Sequence, residues 1–132
     1  MGFISVALDD VKEPTIVPEG EYDLRIVKKE DKESKKGNPM TVCYIRIEDA
    51  AVANPAVIVH YMTPPTAETP PEQVTMRSLD IKRFITLFGV GYDERGFDTD
   101  DLIGATCRGY VIQEEGEDKV VRNKLRLPKL KP

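Results

Sequence analysis

Tyr44 and Arg46 stand two residues apart in a stretch that alternates apolar with polar side chains, and Arg108 and Tyr110 repeat the pairing later in the chain. Arg122, Lys124 and Arg126 space three cations at the same interval. An interval of two places side chains on one face of a β-strand. Flat rings beside cations suit a single-stranded polynucleotide: cations follow the phosphates, and bases stack on the rings for about 1–3 kcal/mol each. The segment Lys32-Glu33-Ser34-Lys35-Lys36-Gly37-Asn38 adds Lys32, Lys35 and Lys36, and His60 joins them from a further alternating run. Each tyrosine alone has packing as its competing role, since an aromatic side chain readily spans a sheet. Coincidence with arginine on two separate stretches favours binding.

Other chemistries find less support. Cys43 and Cys107 lie in apolar, strand-like stretches, and the single histidine, His60, stands at no metal-ligand spacing from either. No zinc site, disulfide scaffold or Cys-His nucleophile pair is expected. A phosphate-cradling glycine loop and a nucleophile elbow are both missing from the sequence. Asp100-Asp101 reads as helix capping, and Glu114-Glu115-Gly116-Glu117-Asp118 as a solvated turn. The expectation is a protein without catalysis, metal or cofactor.

The net charge by itself opposes a polynucleotide, with 19 Lys plus Arg against 23 Asp plus Glu. Its distribution matters more than its sum. Residues 64–101 carry the entire net charge of −4, with four cations and eight acids, so the remainder balances. Within that remainder, residues 119–132 hold six cations and no acid, and residues 28–37 hold five cations against three acids. The competing role of such zones is to keep strand edges soluble.

The elements that must position these residues follow from periodicity. Residues 1–19, with Pro14 and Pro18, read as an irregular leader that lays at most one short strand on the body. Tyr22, Leu24 and Ile26 alternate with Asp23, Arg25 and Val27, a first strand fading into the charged stretch 28–36. A second strand spans 40–48, with Thr41, Cys43, Ile45 and Ile47 toward the core. A third spans about 56–62, where Val57, Val59 and Tyr61 oppose Ile58, His60 and Met62 and parity does not choose the buried side. Residues 64–71 contain four prolines and read as an exposed loop. Ser78 is expected to cap a helix running to about Phe88, because Ile81, Phe84, Ile85 and Phe88 fall at i, i+3, i+4 and i+7 and Gly89 ends it. Thr99 with Asp100 and Asp101 caps one further turn. A fourth strand spans 105–113, a hairpin turn centres on Gly116, and a fifth strand spans 119–127.

Three strands, a helix and two strands is an order few architectures use. The economical one is an all-β, five-stranded Greek-key barrel of the OB-fold, with its helix between strands 3 and 4 plugging an open end. Gly109, in mid-strand, suits the coiling of a small barrel. The expected organisation is a leader at 1–19, an OB-fold domain at 20–128 and a short basic tail at 129–132. An OB-fold presents strands 2 and 3, with the loops after strands 1 and 4, as its ligand surface. The first loop is lysine-rich; the second is acidic and repels phosphate unless it points away.

Several segments carry a resemblance. Val17-Pro18-Glu19-Gly20-Glu21-Tyr22-Asp23-Leu24, Ser34-Lys35-Lys36-Gly37-Asn38-Pro39-Met40, Phe88-Gly89-Val90, Asp101-Leu102-Ile103-Gly104-Ala105 and Arg122-Asn123-Lys124-Leu125 resemble bacteriophage-encoded single-stranded DNA-binding proteins of OB-fold type. The likeness spans roughly residues 17–128. It implies non-sequence-specific coating of single-stranded DNA during replication or recombination, with no catalysis and no metal. Many single-stranded DNA-binding proteins end in an acidic tail that recruits partners, whereas this sequence ends Leu127-Pro128-Lys129-Leu130-Lys131-Pro132, so tail-mediated recruitment is not carried over.

The partner expected is single-stranded DNA, with replication or recombination proteins and a second copy of the chain as further candidates. The alternative is a protein-interaction adaptor on the same barrel, suggested by the net acidity and the proline loop. No apolar run approaches the ~20 residues of a membrane span, and residues 1–10 lack a basic n-region, so the expected location is the cytoplasm, the host's if the protein is phage-encoded.

Overall fold

The computed structural model describes residues 2–131. Its elements run β1 (Gly20–Glu33), β2 (Pro39–Ile47), β3 (Ile58–Met62), α1 (Pro71–Leu87), a 3₁₀ turn (Thr99–Leu102), β4 (Thr106–Glu115) and β5 (Val121–Arg126). The strands form one antiparallel sheet in the order β3-β2-β1-β4-β5. β3 and β5, its two edges, come against each other but share no ladder of hydrogen bonds, so the sheet is not closed. Among the described residues no helix is long and apolar enough to cross a membrane.

β1 does not fade at Lys28. It continues to Glu33 because a bulge at Val27 shifts the register between Ile26, opposite Ile45, and Lys28, opposite Tyr44. The shift reverses the alternation. Leu24 and Ile26 face the core before it, whereas Lys29 and Asp31 share the inner side with Cys43 and Thr41 after it. Lys29 is satisfied there by Asp100 at 2.8 Å, by Asp31 and by the Thr99 hydroxyl at 2.9 Å, and the two carboxylates, Asp100 first, raise its pKa. The 3₁₀ turn thus packs against the second half of a strand that the charged stretch 28–36 is expected to end. Asp98, not Thr99, caps that turn, accepting from the Asp100 N–H at 2.9 Å.

The helix begins seven residues before Ser78. Pro71 occupies its first position, where a fixed φ and a missing N–H cost nothing, and no side chain caps it. The first two turns lie largely in solvent and so carry no apolar period; Phe84, Ile85 and the capping Phe88 are buried in the core, with Ile81 and Leu87 packed partly buried against it. The end falls as periodicity requires, with Gly89 at φ 71° and the Val90 N–H returning to the Ile85 carbonyl at 2.9 Å. The proline-rich loop accordingly occupies residues 63–70 and yields Pro71 to the helix.

Leu24, Ile26, Cys43, Ile45, Ile58, Phe84, Leu102 and Val111 form the buried centre. The leader meets it at Val17, whose N–H donates to Asn123 Oδ1 at 2.8 Å while its carbonyl accepts from Asn123 Nδ2 at 3.0 Å. A single parallel bridge, Thr15 to Pro55, is the only strand-like pairing of the leader among the described residues.

Candidate nucleic-acid interface

On the outer face of β2 and β3, Val42 lies opposite Tyr61 and Tyr44 opposite Val59, which makes the two tyrosines diagonal neighbours. Diagonal positions on a sheet stand about 7–8 Å apart, within reach for aromatic side chains. Lys28, opposite Tyr44 on β1, holds its ammonium 5.3 Å from that ring's centroid. The Tyr44 hydroxyl donates to Glu30 Oε1 at 3.0 Å, and Lys28 Nζ is 3.3 Å from the same oxygen. These contacts, the tyrosine's first, hold the Glu30 carboxyl below its ordinary pKa and push the Tyr44 hydroxyl up. Tyr61 is 56% exposed, so its ring offers more free surface than the half-buried Tyr44.

β5 runs along this surface. Arg122, Lys124 and Arg126 face outward opposite Glu114, Ile112 and Tyr110. Arg122 donates to Asp118 at 2.6 Å, and the Tyr61 hydroxyl is near enough to contribute to its raised pKa. That pairing draws the Asp118 carboxyl down to about 2 and offsets part of the acidity of the turn after β4. Lys124 forms no ion pair among the described residues. The Arg126 guanidinium stacks 4.3 Å over Tyr110.

The two tyrosine-arginine faces do not converge. Tyr110 lies opposite Glu21 on β1 and Tyr44 opposite Lys28, seven residues further along the same strand. At the rise of a strand that is about 23 Å. Tyr44 and Tyr61 make one patch, Tyr110 and Arg126 another, and Lys124 on β5 lies between Arg122 and Arg126. Two arginines are also engaged elsewhere. Arg46 donates to Glu48 at 2.8 Å, and Arg25 reaches the same carboxylate at 3.1 Å. Arg108 sits among Asp49 at 2.9 Å, Asp23 at 3.1 Å and Glu21 at 3.6 Å, an environment that cancels its charge locally.

Lys35 and Lys36 occupy the turn between β1 and β2, closed by the Gly37 N–H to the Ser34 carbonyl at 2.9 Å with Gly37 at φ 79°. They line a shallow groove of about 320 Å³ with Thr63 and Arg77 of the helix. Lys32 is exposed on β1, opposite Met40.

His60 belongs on the other side of the sheet. It lies opposite Cys43, between the buried Ile58 and Met62, and stacks on Phe84, so it does not share the surface of Tyr44 and Tyr61. Burial lowers its pKa to about 4. Cys43 is buried and Cys107 packs against the core; burial pushes each thiol up to about 11, which disfavours the thiolate. No group of three His, Cys, Asp or Glu side chains among the described residues is placed to hold a metal.

Sequence reasoning omitted Tyr61, Lys28 and Arg77. Tyr61 shares parity with Val57 and Val59, but its adjacency to Tyr44 depends on the β2–β3 register. Lys28 reaches the same face only through the bulge. Comparison with known proteins makes no assignment: no family model matches the chain, and no curated protein matches it.

Proposed function

We propose that the protein coats single-stranded DNA without sequence preference during phage DNA replication or recombination, on an OB-fold frame. The observation that carries the reading is the adjacency of Tyr44 and Tyr61 on the outer face of β2 and β3, with Lys28 over one ring and Arg122 beside the other. Rings at that spacing offer stacking positions to successive bases, while Lys28, Lys124 and the hairpin lysines supply phosphate contacts. The strand order β3-β2-β1-β4-β5, with its two edges in contact, supports the frame, because an OB-fold presents this wall to its ligand.

Fluorescence anisotropy with labelled oligo-dT across a series of salt concentrations tests the proposal. Binding at low salt that weakens linearly in log[salt] is expected. Absence of binding at low salt overturns it.

A second reading, an interaction adaptor on the same scaffold, draws support from the neutralisation of Arg46, Arg108 and Arg122 by neighbouring carboxylates. A protein partner retained after nuclease treatment, in a chain without affinity for oligonucleotides, would favour it.

A further inference from the structure

Behind the sheet, the last turns of α1 and the residues after β5 enclose a groove of about 630 Å³. Lys82, Arg83, Lys129 and Lys131 line it, and no acidic side chain does so among the described residues. None of these four cations makes an ion pair among the described residues, in contrast to Arg46, Arg108 and Arg122 on the sheet. Arg83 Nε is buried without a hydrogen-bond partner. An orphaned guanidinium N–H is costly, and an acceptor brought by a ligand relieves the cost. Apart from Thr86, the rest of the wall is apolar, from Leu87, Pro128 and Leu130, with Tyr92 carrying Lys82 over its ring at 5.5 Å. Such a groove selects a ligand that is both anionic and apolar.

The chain itself supplies a segment of that chemistry. Phe3, Ile4, Val6 and Leu8 are 93, 78, 59 and 65% exposed, an apolar arm left largely in solvent. A contiguous apolar arm on a protein surface marks an interaction site. It is followed by a turn at residues 8–11, closed by the Val11 N–H to the Leu8 carbonyl at 3.1 Å, which places Asp9 and Asp10 at its tip. The arm matches the apolar wall and the paired aspartates match the four cations.

We infer that the leader of one copy docks into the groove of α1 and the basic tail of a second copy, so that two chains exchange arms as a closed, symmetric dimer. The apolar side chains of residues 3–8 cover Leu87, Leu130 and Tyr92, and the carboxylates of Asp9 and Asp10 face Lys82, Lys129, Lys131 and the Arg83 guanidinium. The exchange uses neither Tyr44 nor Tyr61, so it stands apart from the DNA-binding reading.

Sedimentation velocity on the full chain over a range of concentrations tests it. The unaltered protein is expected to sediment as a dimer, and the exposed-arm variant Phe3→Ser with Leu8→Ser as a monomer. Asp9→Lys with Asp10→Lys, and separately Lys129→Glu with Lys131→Glu, are each expected to lose the dimer, and the four changes together to restore it. Circular dichroism on every variant verifies folding. A monomer at all concentrations, a dimer that survives loss of the arm, or a charge exchange that fails to restore association overturns the inference. So does a monomer whose Lys129→Glu, Lys131→Glu variant loses affinity for oligo-dT, since the groove would then be a nucleic-acid surface.

Discussion

The imidazole of His60 lies flat on the ring of Phe84, with centroids 4.3 Å apart and planes 3° from parallel. A strand side chain and a helix side chain are thereby stacked beneath the sheet, and Phe84 meets Phe88 in turn at 4.9 Å. This contact fastens α1 to β3. It also requires the imidazole to be neutral, because burial disfavours its charged form.

Acid sensitivity follows. With a pKa near 4 in the fold against 6.5 for the ordinary group, His60 refuses a proton that the unfolded chain accepts between those values. Its contribution is complete above pH 6.5 and is lost as pH falls toward 4, by up to roughly 3 kcal/mol. Urea unfolding across that window is expected to give stability rising with pH, and His60→Phe, which keeps the stack, to flatten the rise. An equally steep rise in the variant would place the titration elsewhere.

Tyr61→Ala and Tyr44→Ala are each expected to weaken oligo-dT binding by about 1–3 kcal/mol. Tyr110→Ala is expected to cost less, because Arg126 already covers that ring. Anisotropy titrations at one fixed salt concentration measure all three. A loss confined to Tyr110 would move the site to the β4–β5 wall.

Lys35→Ala with Lys36→Ala is expected to flatten the dependence of log K on log[salt] by about 0.7 for each phosphate contact removed, with no change in base preference. The turn is exposed and its backbone hydrogen bonds do not use either side chain, so folding is unaffected. An unchanged slope would exclude the hairpin from the interface.

Gly109→Ala is expected to destabilise the fold by about 1–3 kcal/mol through overpacking. A Cβ there would meet Leu24 Cδ1 and Leu125 Cδ1 at 3.0 Å, and Leu24 is fully buried with little room to move. A lower urea midpoint at constant m-value is the readout. An unchanged midpoint would show that the two leucines yield freely.

Much of the frame was legible from local pattern. The alternation around Leu24 and Ile26, from Cys43 to Ile47 and around Val111 reports burial of one strand face, and these residues are the core. The pattern failed where burial was absent or the phase changed. The first turns of α1 touch solvent and leave no period to read, and Ser78 resembled a cap only because the apolar stripe begins after it. The bulge at Val27 inverted the facing of every later residue in β1, turning Lys29 inward and Lys28 outward.

The candidate site divided in the same way. Spacing by two placed Tyr44, Tyr110 and the β5 cations on strand faces, and those assignments rest on local geometry alone. Which of them are neighbours is a matter of register between strands distant in sequence. Tyr61 therefore joined Tyr44 while Tyr110 did not, and His60 turned beneath the sheet to Phe84. Ion pairing was likewise invisible, since Arg108 finds Asp23 and Asp49 only after β4, β1 and the bend following β2 have been brought together. The sequence by itself determined the strands, the apolar faces of β2 and of the first half of β1, and the helix stop, because those depend on residues within a few positions of one another. Only the tertiary structure decided which rings share a surface and which cations remain unpaired, because those depend on distances across the fold that no local spacing encodes.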